Sequence, residues 1–269
     1  MTKNRKKKSP KRSNSNQSTT SATISDSPPS KKGIRQSLWS IYIITLFLGT
    51  LLISWHTLAP IDYGYSKAYQ WLSIQTHINR YAPLNQFRKH FATTTTEEHE
   101  RLFSEIVTSI QNSGEGLADI SYTYNGQSIP LLHEAEVIHL QDVAVLIDNL
   151  YPVGLAMIAL SVLLMFTIYR LRLPPPGIRQ ATAGLGVLLL TIALALLIVG
   201  PKDLFYWLHV QIFPEGHQWF FYYQESLMTT LMKAPDLFGL MAAFIGGWAI
   251  LLYSLLLSAS IYLQKKACS

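Results

Sequence analysis

The sequence predicts an α-helical integral membrane protein: four transmembrane helices, with a small α+β extracytoplasmic domain between the first and second. Three observations predict it. The chain of 269 residues is 49% hydrophobic and only 14% charged, and its apolar residues collect in four blocks with no acid or base inside. Each block approaches or exceeds the roughly 20 residues a helix needs to cross a hydrocarbon core. Lysine and arginine concentrate in three segments that fall on one side of a membrane if the spans number four. Finally, the stretch between the first two blocks, about 90 residues long, exceeds what a connection needs and carries helix and hairpin signals of its own.

Residues 1–37 form a basic tail, low in apolar residues and rich in Ser, Thr, Asn, Lys and Pro, which is expected to be disordered and cytoplasmic. Up to Gln36 it carries ten Lys and Arg against one acid, Asp26. Such a tail fits anionic lipid headgroups. No nucleic-acid partner is expected, because most of the net charge of +6 sits here and no recognition fold accompanies it. Residues 38–56 make the first span, read as an uncleaved signal anchor because "SWHTLAPID" offers no small-residue cleavage site.

Residues 57–150 make the extracytoplasmic domain. "SKAYQWLSIQTHINRYAPLNQFRKHF" reads as helix with a break near Pro83. In "TTEEHERLFSEIVTSIQNSG" acids fill the first turn, Leu102, Phe103, Ile106, Val107 and Ile110 make one apolar face, and Gly114 supplies a stop. Alternation around Asn125-Gly126 in "ISYTYNGQSIPLL" is a hairpin signal. An amphipathic helix then leads into the second span, 151–169.

A short cytoplasmic loop, 170–180, carries Arg170, Arg172 and Arg179; residues 181–200 are the third span. The next extracytoplasmic loop, 201–236, is crowded with Phe, Tyr and Trp, whose amphipathic rings favour a membrane interface. The fourth span is 237–263, and the tail 264–269 carries Lys265 and Lys266. Both termini are thus expected in the cytoplasm. The only cysteine, Cys268, falls there too, so no disulfide is expected outside and, with no lipobox, the chain is not itself a lipoprotein.

The candidate chemistry centres on "HEAEVIHLQDV", His133 to Val143. A zinc protease needs histidines four apart on one helical face. His133 and His139 are six apart, about 240° around a helix, so that reading fails. Glu136, His139 and Asp142 instead recur every three residues and share a face, which offers the imidazole a carboxylate above and below. A carboxylate that fixes a histidine's tautomer makes the other ring nitrogen a better base. The predicted topology brings His209, from the aromatic loop, to the same face and similar depth. Two imidazoles and neighbouring acids in apolar surroundings suit chemistry on a lipid.

"HLQDV" leading into a span, then "LHVQIFPEGHQWFF" and "ESLMTTLMKAPDLF" before the last span, resemble the two conserved blocks of the lipoprotein intramolecular transacylase family of bacterial integral membrane proteins. Two positions differ from its pattern: Ala144 stands where a lysine is expected, and Leu208 where an aromatic is. The resemblance implies acyl transfer within one diacylated lipoprotein, from the glycerol sn-2 ester to the N-terminal cysteine amine, giving the lyso form at the outer leaflet of the bacterial inner membrane. It implies His139 and His209 as the catalytic pair, and the helical spacing adds Asp142 as the third candidate, through its orientation of His139. Glu136 is a further orienting candidate, and Glu225 and Lys233 are candidates for binding headgroup or peptide. No cofactor or metal is expected.

Other classes stay open on the residues alone. A non-catalytic assembly protein would need only a docking surface. A zinc hydrolase would draw Glu136, His139, Asp142 and His209 together. A transporter is disfavoured, since the spans have no internal charges.

Overall fold

The computed structural model of the chain describes residues 1–2 and 31–269. Residues 3–30 of the tail expected to be disordered lie outside the described residues, whereas its last part is already helical within α1 (Lys31–Leu58). The chain continues through a 3₁₀ segment (Ala59–Gly64), α2 (Tyr65–Trp71), α3 (Ile74–Tyr81), α4 (Thr96–Gln111), β1 (Ser121–Tyr124) and β2 (Gln127–Pro130). It ends with α5 (Glu134–Arg170), α6 (Ile178–Ile198), α7 (Pro201–Ile212), α8 (Leu227–Met232) and α9 (Asp236–Cys268). Four helices among the described residues are long and apolar enough to cross a membrane.

Local structure follows local chemistry in much of the chain. Thr95 caps α4 by accepting from the Glu98 N–H, and Glu97 and Glu98 sit in its first turn, where the helix dipole favours negative charge. Past its end Gly114 takes φ +85° and donates its N–H to the Ser109 carbonyl at 2.8 Å, closing the turn. Strands β1 and β2 pair antiparallel, and Asn125 and Gly126 both take the positive φ that a two-residue hairpin turn demands.

Two segments depart from the sequence reading. The helix expected to run to Pro83 also breaks at Ser73, which takes φ 52°. A tertiary bond supports the break: Lys233 Nζ donates to the Leu72 carbonyl at 2.8 Å, satisfying an acceptor that the continued helix would have used. The aromatic loop is itself partly helical, forming α7 and α8. Gly200 at φ +89° turns the chain out of α6, and Pro201 opens α7, where its missing N–H costs nothing.

The helical bundle and the cap above it are held differently. Helix α1 packs along α5 and α9. A Cβ added at Gly49 would come within 2.9 Å of Ile158, and one at Gly154 within 2.7 Å of Leu52, so these glycines permit the close approach of α1 and α5. Beyond Ala181, helix α6 buries none of its described side chains. The cap is a compact core of Tyr65, Ile74, Ile78, Leu102, Phe103, Ile106 and Tyr122 joined by Phe221, Leu227, Met228 and Leu231. Both long connections, residues 59–133 and residues 201–235, therefore build one core. That packing lays the α7–α8 segment against the start of α5.

Candidate active site

The first four turns of α5 project into the cap before its apolar stretch begins, and Glu136, His139 and Asp142 share one face there. Neither carboxylate is given to the imidazole. Glu136 is 1% exposed; its Oε1 accepts from Ser226 Oγ at 2.5 Å and from the Met228 N–H at 3.1 Å, and its Oε2 from the His133 N–H at 2.7 Å. Burial pushes its pKa up, and these hydrogen bonds pull the other way. Asp142 Oδ2 meets His217 Nδ1 at 2.7 Å. His139 Nδ1 is buried with no hydrogen-bond partner. The expectation of carboxylates clasping His139 is thus corrected: side chains three apart on a helix lie side by side, and both acids turn to the α7–α8 segment.

His209 comes from α7, one turn after Phe205. Its Nδ1 lies 2.8 Å from the Phe205 carbonyl, which can only accept, so Nδ1 carries the hydrogen and Nε2 the lone pair. The His139 and His209 rings face each other with centroids 6.4 Å apart and planes 30° from parallel. Phe213 touches both, at 4.9 Å from His139 and 5.2 Å from His209. Trp219 packs on His209 at 5.1 Å and Phe221 on His139 at 5.9 Å.

Both histidines line a cavity of about 410 Å³ between the cap and the cap-side ends of α1 and α9. Its other walls are mostly apolar, among them Phe103, Val107, Met228, Met232, Met241 and Ile245. Desolvation penalises the charged form of each imidazole. Burial, with the neighbouring His209, lowers the pKa of His139 to about 4, Asp142 opposing; burial lowers that of His209 too, opposed by its bond to Phe205. Near neutral pH the cavity therefore holds two uncharged imidazoles, able to accept or give protons.

The other candidates stand apart. Lys233 donates to the Leu72 carbonyl and lies 3.4 Å from Asp236, and neither it nor Glu225 lines the cavity. Among the described residues no three His, Cys, Asp or Glu side chains are grouped as a metal ion would need, since Glu136 and Asp142 turn to Ser226 and His217. Ala144, where the family pattern has lysine, is fully buried; Leu208 is 40% exposed. Sequence reasoning assigned no role to Ser226, Phe213, Trp219 or Phe221. A signal was present, because Ser226 precedes "LMTTLM" as a helix cap would, and its hydroxyl accepts from the Thr229 N–H.

The fold is shared with proteins of known structure. Residues 40–234 match the family model "Lipoprotein intramolecular transacylase Lit". The in meso structure of the membrane integral lipoprotein intramolecular transacylase Lit from Bacillus cereus superposes with a TM-score of 0.58 at 16% identity, covering 89% of this chain and all of that one. A histidine-substituted variant of the same protein gives 0.56 at 18% identity, over 87% of this chain and 94% of that one. No curated protein matches. With most of its length matched by that model and its fold shared with those structures, the chain belongs to the lipoprotein intramolecular transacylases, a family of membrane acyltransferases.

Proposed function

We propose that the chain moves the sn-2 acyl group of a diacylated lipoprotein onto the amine of that lipoprotein's N-terminal cysteine, with His139 and His209 as the catalytic pair. The observation that carries this reading is the pair itself: two facing, uncharged imidazoles, one with no hydrogen-bond partner for its buried nitrogen, on the wall of an apolar cavity. A buried polar atom left unpaired costs folding free energy, about 1 to 3 kcal/mol, which a substrate group could recover on binding.

The amine nitrogen attacks the ester carbonyl, forming a C–N bond and an oxyanion. His209 Nε2, whose lone pair is fixed by the Nδ1–H bond to Phe205, takes the proton that the nitrogen loses. His139 faces it as the neutral N–H donor that stabilises the oxyanion. As the C–O bond to glycerol breaks, the proton on His209 passes to the leaving oxygen, so an amide and an alcohol replace an amine and an ester. No water is consumed, and the apolar walls exclude the water that would hydrolyse the ester. Donor and acceptor share one molecule, so proximity comes from the substrate and no acyl-enzyme is needed.

The basic segments support a topology with both termini in the cytoplasm and the cap outside, at the outer leaflet of a bacterial inner membrane. Diacylated lipoprotein is the partner, while anionic headgroups meet the tail. Expressed in a host with diacylated lipoproteins, the protein should yield products of unchanged mass whose fragmentation shows an amide-linked acyl chain on cysteine. A gain of one acyl chain would indicate transfer from phospholipid instead. Unchanged fragmentation with well-expressed protein would favour a non-catalytic assembly role.

A further inference from the structure

His139 lacks what usually fixes a catalytic imidazole. Its Nδ1 has no partner, so packing rather than a hydrogen bond must set its ring plane. Apart from His209, its ring neighbours are Phe213 and Phe221, both on the strap of residues 213–225 between α7 and α8. The same strap supplies Trp219 to His209. His209 is also held within α7, by its bond to the Phe205 carbonyl and by the Phe205 ring at 3.8 Å, so whatever holds the strap matters most to His139.

Helix α5 grips the strap region at two points, one turn on either side of His139. Ser226, where the strap enters α8, donates to Glu136, and His217, near the strap's middle, meets Asp142 at 2.7 Å. The grips differ in kind. Glu136 is 1% exposed and its two bonds to Ser226 and Met228 belong to the folded core. The Asp142 and His217 side chains are 17% and 43% exposed, so that tie lies at the rim of the site and can be cut without opening the core. Gly216, at φ +88°, turns the backbone just before His217.

We infer that Asp142 and His217 are a positioning pair, which sets the catalytic geometry of His139 by pinning the aromatic strap rather than by touching the imidazole. This rests on the proposed catalytic role of His139 and His209. Removing either partner frees the strap to lift Phe213, Trp219 and Phe221 off the rings; this loosens the cavity wall that Trp219 and Phe221 form, while the walls from α4, α8 and α9 stay in place. Turnover then falls further than substrate affinity does.

Asp142→Ala, His217→Ala and the double variant would be purified in detergent and assayed on a synthetic diacylated lipopeptide, with hydrogen–deuterium exchange followed in parallel. Each single variant should lose roughly tenfold in kcat with a smaller rise in KM, and the double variant no more than either single, because both cut one tie. Exchange in peptides spanning 213–223 should quicken in all three while the α4 peptides stay protected. Asp142→Asn, which can still hydrogen-bond His217, should recover most of the turnover. A large loss in Asp142→Ala with none in His217→Ala would overturn the inference in favour of direct action on His139, and so would lost turnover with unchanged strap exchange. His139→Ala separates the two readings: if it retains full turnover the catalytic reading fails, whereas if it is inactive and both tie variants are unimpaired only the positioning pair fails.

Discussion

Two buried histidines of the cap, His99 and His139, meet the same desolvation and answer it differently. His99 of α4 is fully buried, and both ring nitrogens are partnered, Nδ1 by Tyr69 Oη and Nε2 by Thr94 Oγ1, each at 2.7 Å. His139 of α5 is 9% exposed and its Nδ1 is unpartnered. Burial lowers both to a pKa of about 4. A depressed pKa therefore does not separate the roles, and neither does an unpartnered nitrogen alone, since His77 is equally buried, has an open Nε2 and a pKa of about 4, yet lines no part of this cavity; an open nitrogen on the cavity wall does. A satisfied buried histidine is part of the fold, and one left open against a cavity is available to a substrate.

The comparison breaks most readily through activity. His209→Ala should lower turnover by about 10² to 10⁴, the range for a general acid–base group, His139→Ala by about 10² to 10³, the range for one oxyanion donor, and the double variant should be little worse. His139→Ala should destabilise the fold little, since His139 gives up no hydrogen bond through Nδ1. A thermal-unfolding scan beside the lipopeptide assay checks both halves. His99→Ala should do the reverse. It takes one partner from the Tyr69 and Thr94 hydroxyls, which keep Gln75 and the Phe91 carbonyl, and opens a cavity, costing about 2 to 4 kcal/mol, while the protein that remains folded transfers acyl groups at the normal rate per molecule.

Acid sharpens the comparison next. Both histidines have folded pKa values below the unfolded 6.5, so the unfolded chain binds more protons between about pH 6.5 and 4. Their contribution to stability is complete above that window and is lost as pH falls through it. The melting temperature should be level above pH 7 and drop by roughly 5 °C or more by pH 5, with a shallower slope in His99→Gln. Titration of the imidazole resonances should place the His139 midpoint near 4. A midpoint near 6.5 would mean that the cavity is wetter than its walls imply. The smallest effect is expected far from both rings: Gly126→Ala strains the hairpin turn, where Gly126 sits at φ +77°, costing about 1 kcal/mol and leaving acyl transfer unchanged.

Much of the fold was legible because its causes are local. The apolar blocks, the capped α4 and the Asn125-Gly126 turn each follow from a period or a residue with one preferred conformation. The break at Ser73 was not, because its support, Lys233, lies 160 residues further on. Nor were α7 and α8, whose aromatic crowding hid a helix opened by Pro201 and another capped by Ser226.

In the site the division is sharper. From sequence alone came the helical face shared by Glu136, His139 and Asp142, since three-residue spacing on a helix admits no other result. Sequence also marked His209 as the second imidazole, through its place beyond the third apolar block and through family resemblance. Which atoms those side chains meet was decided only by tertiary structure. Glu136 went to Ser226, Asp142 to His217, and Phe213 settled against both imidazoles. Helical periodicity sets the direction of a side chain, but its partner depends on which distant segment the hydrophobic core draws alongside, and here one core collects both long connections of the chain.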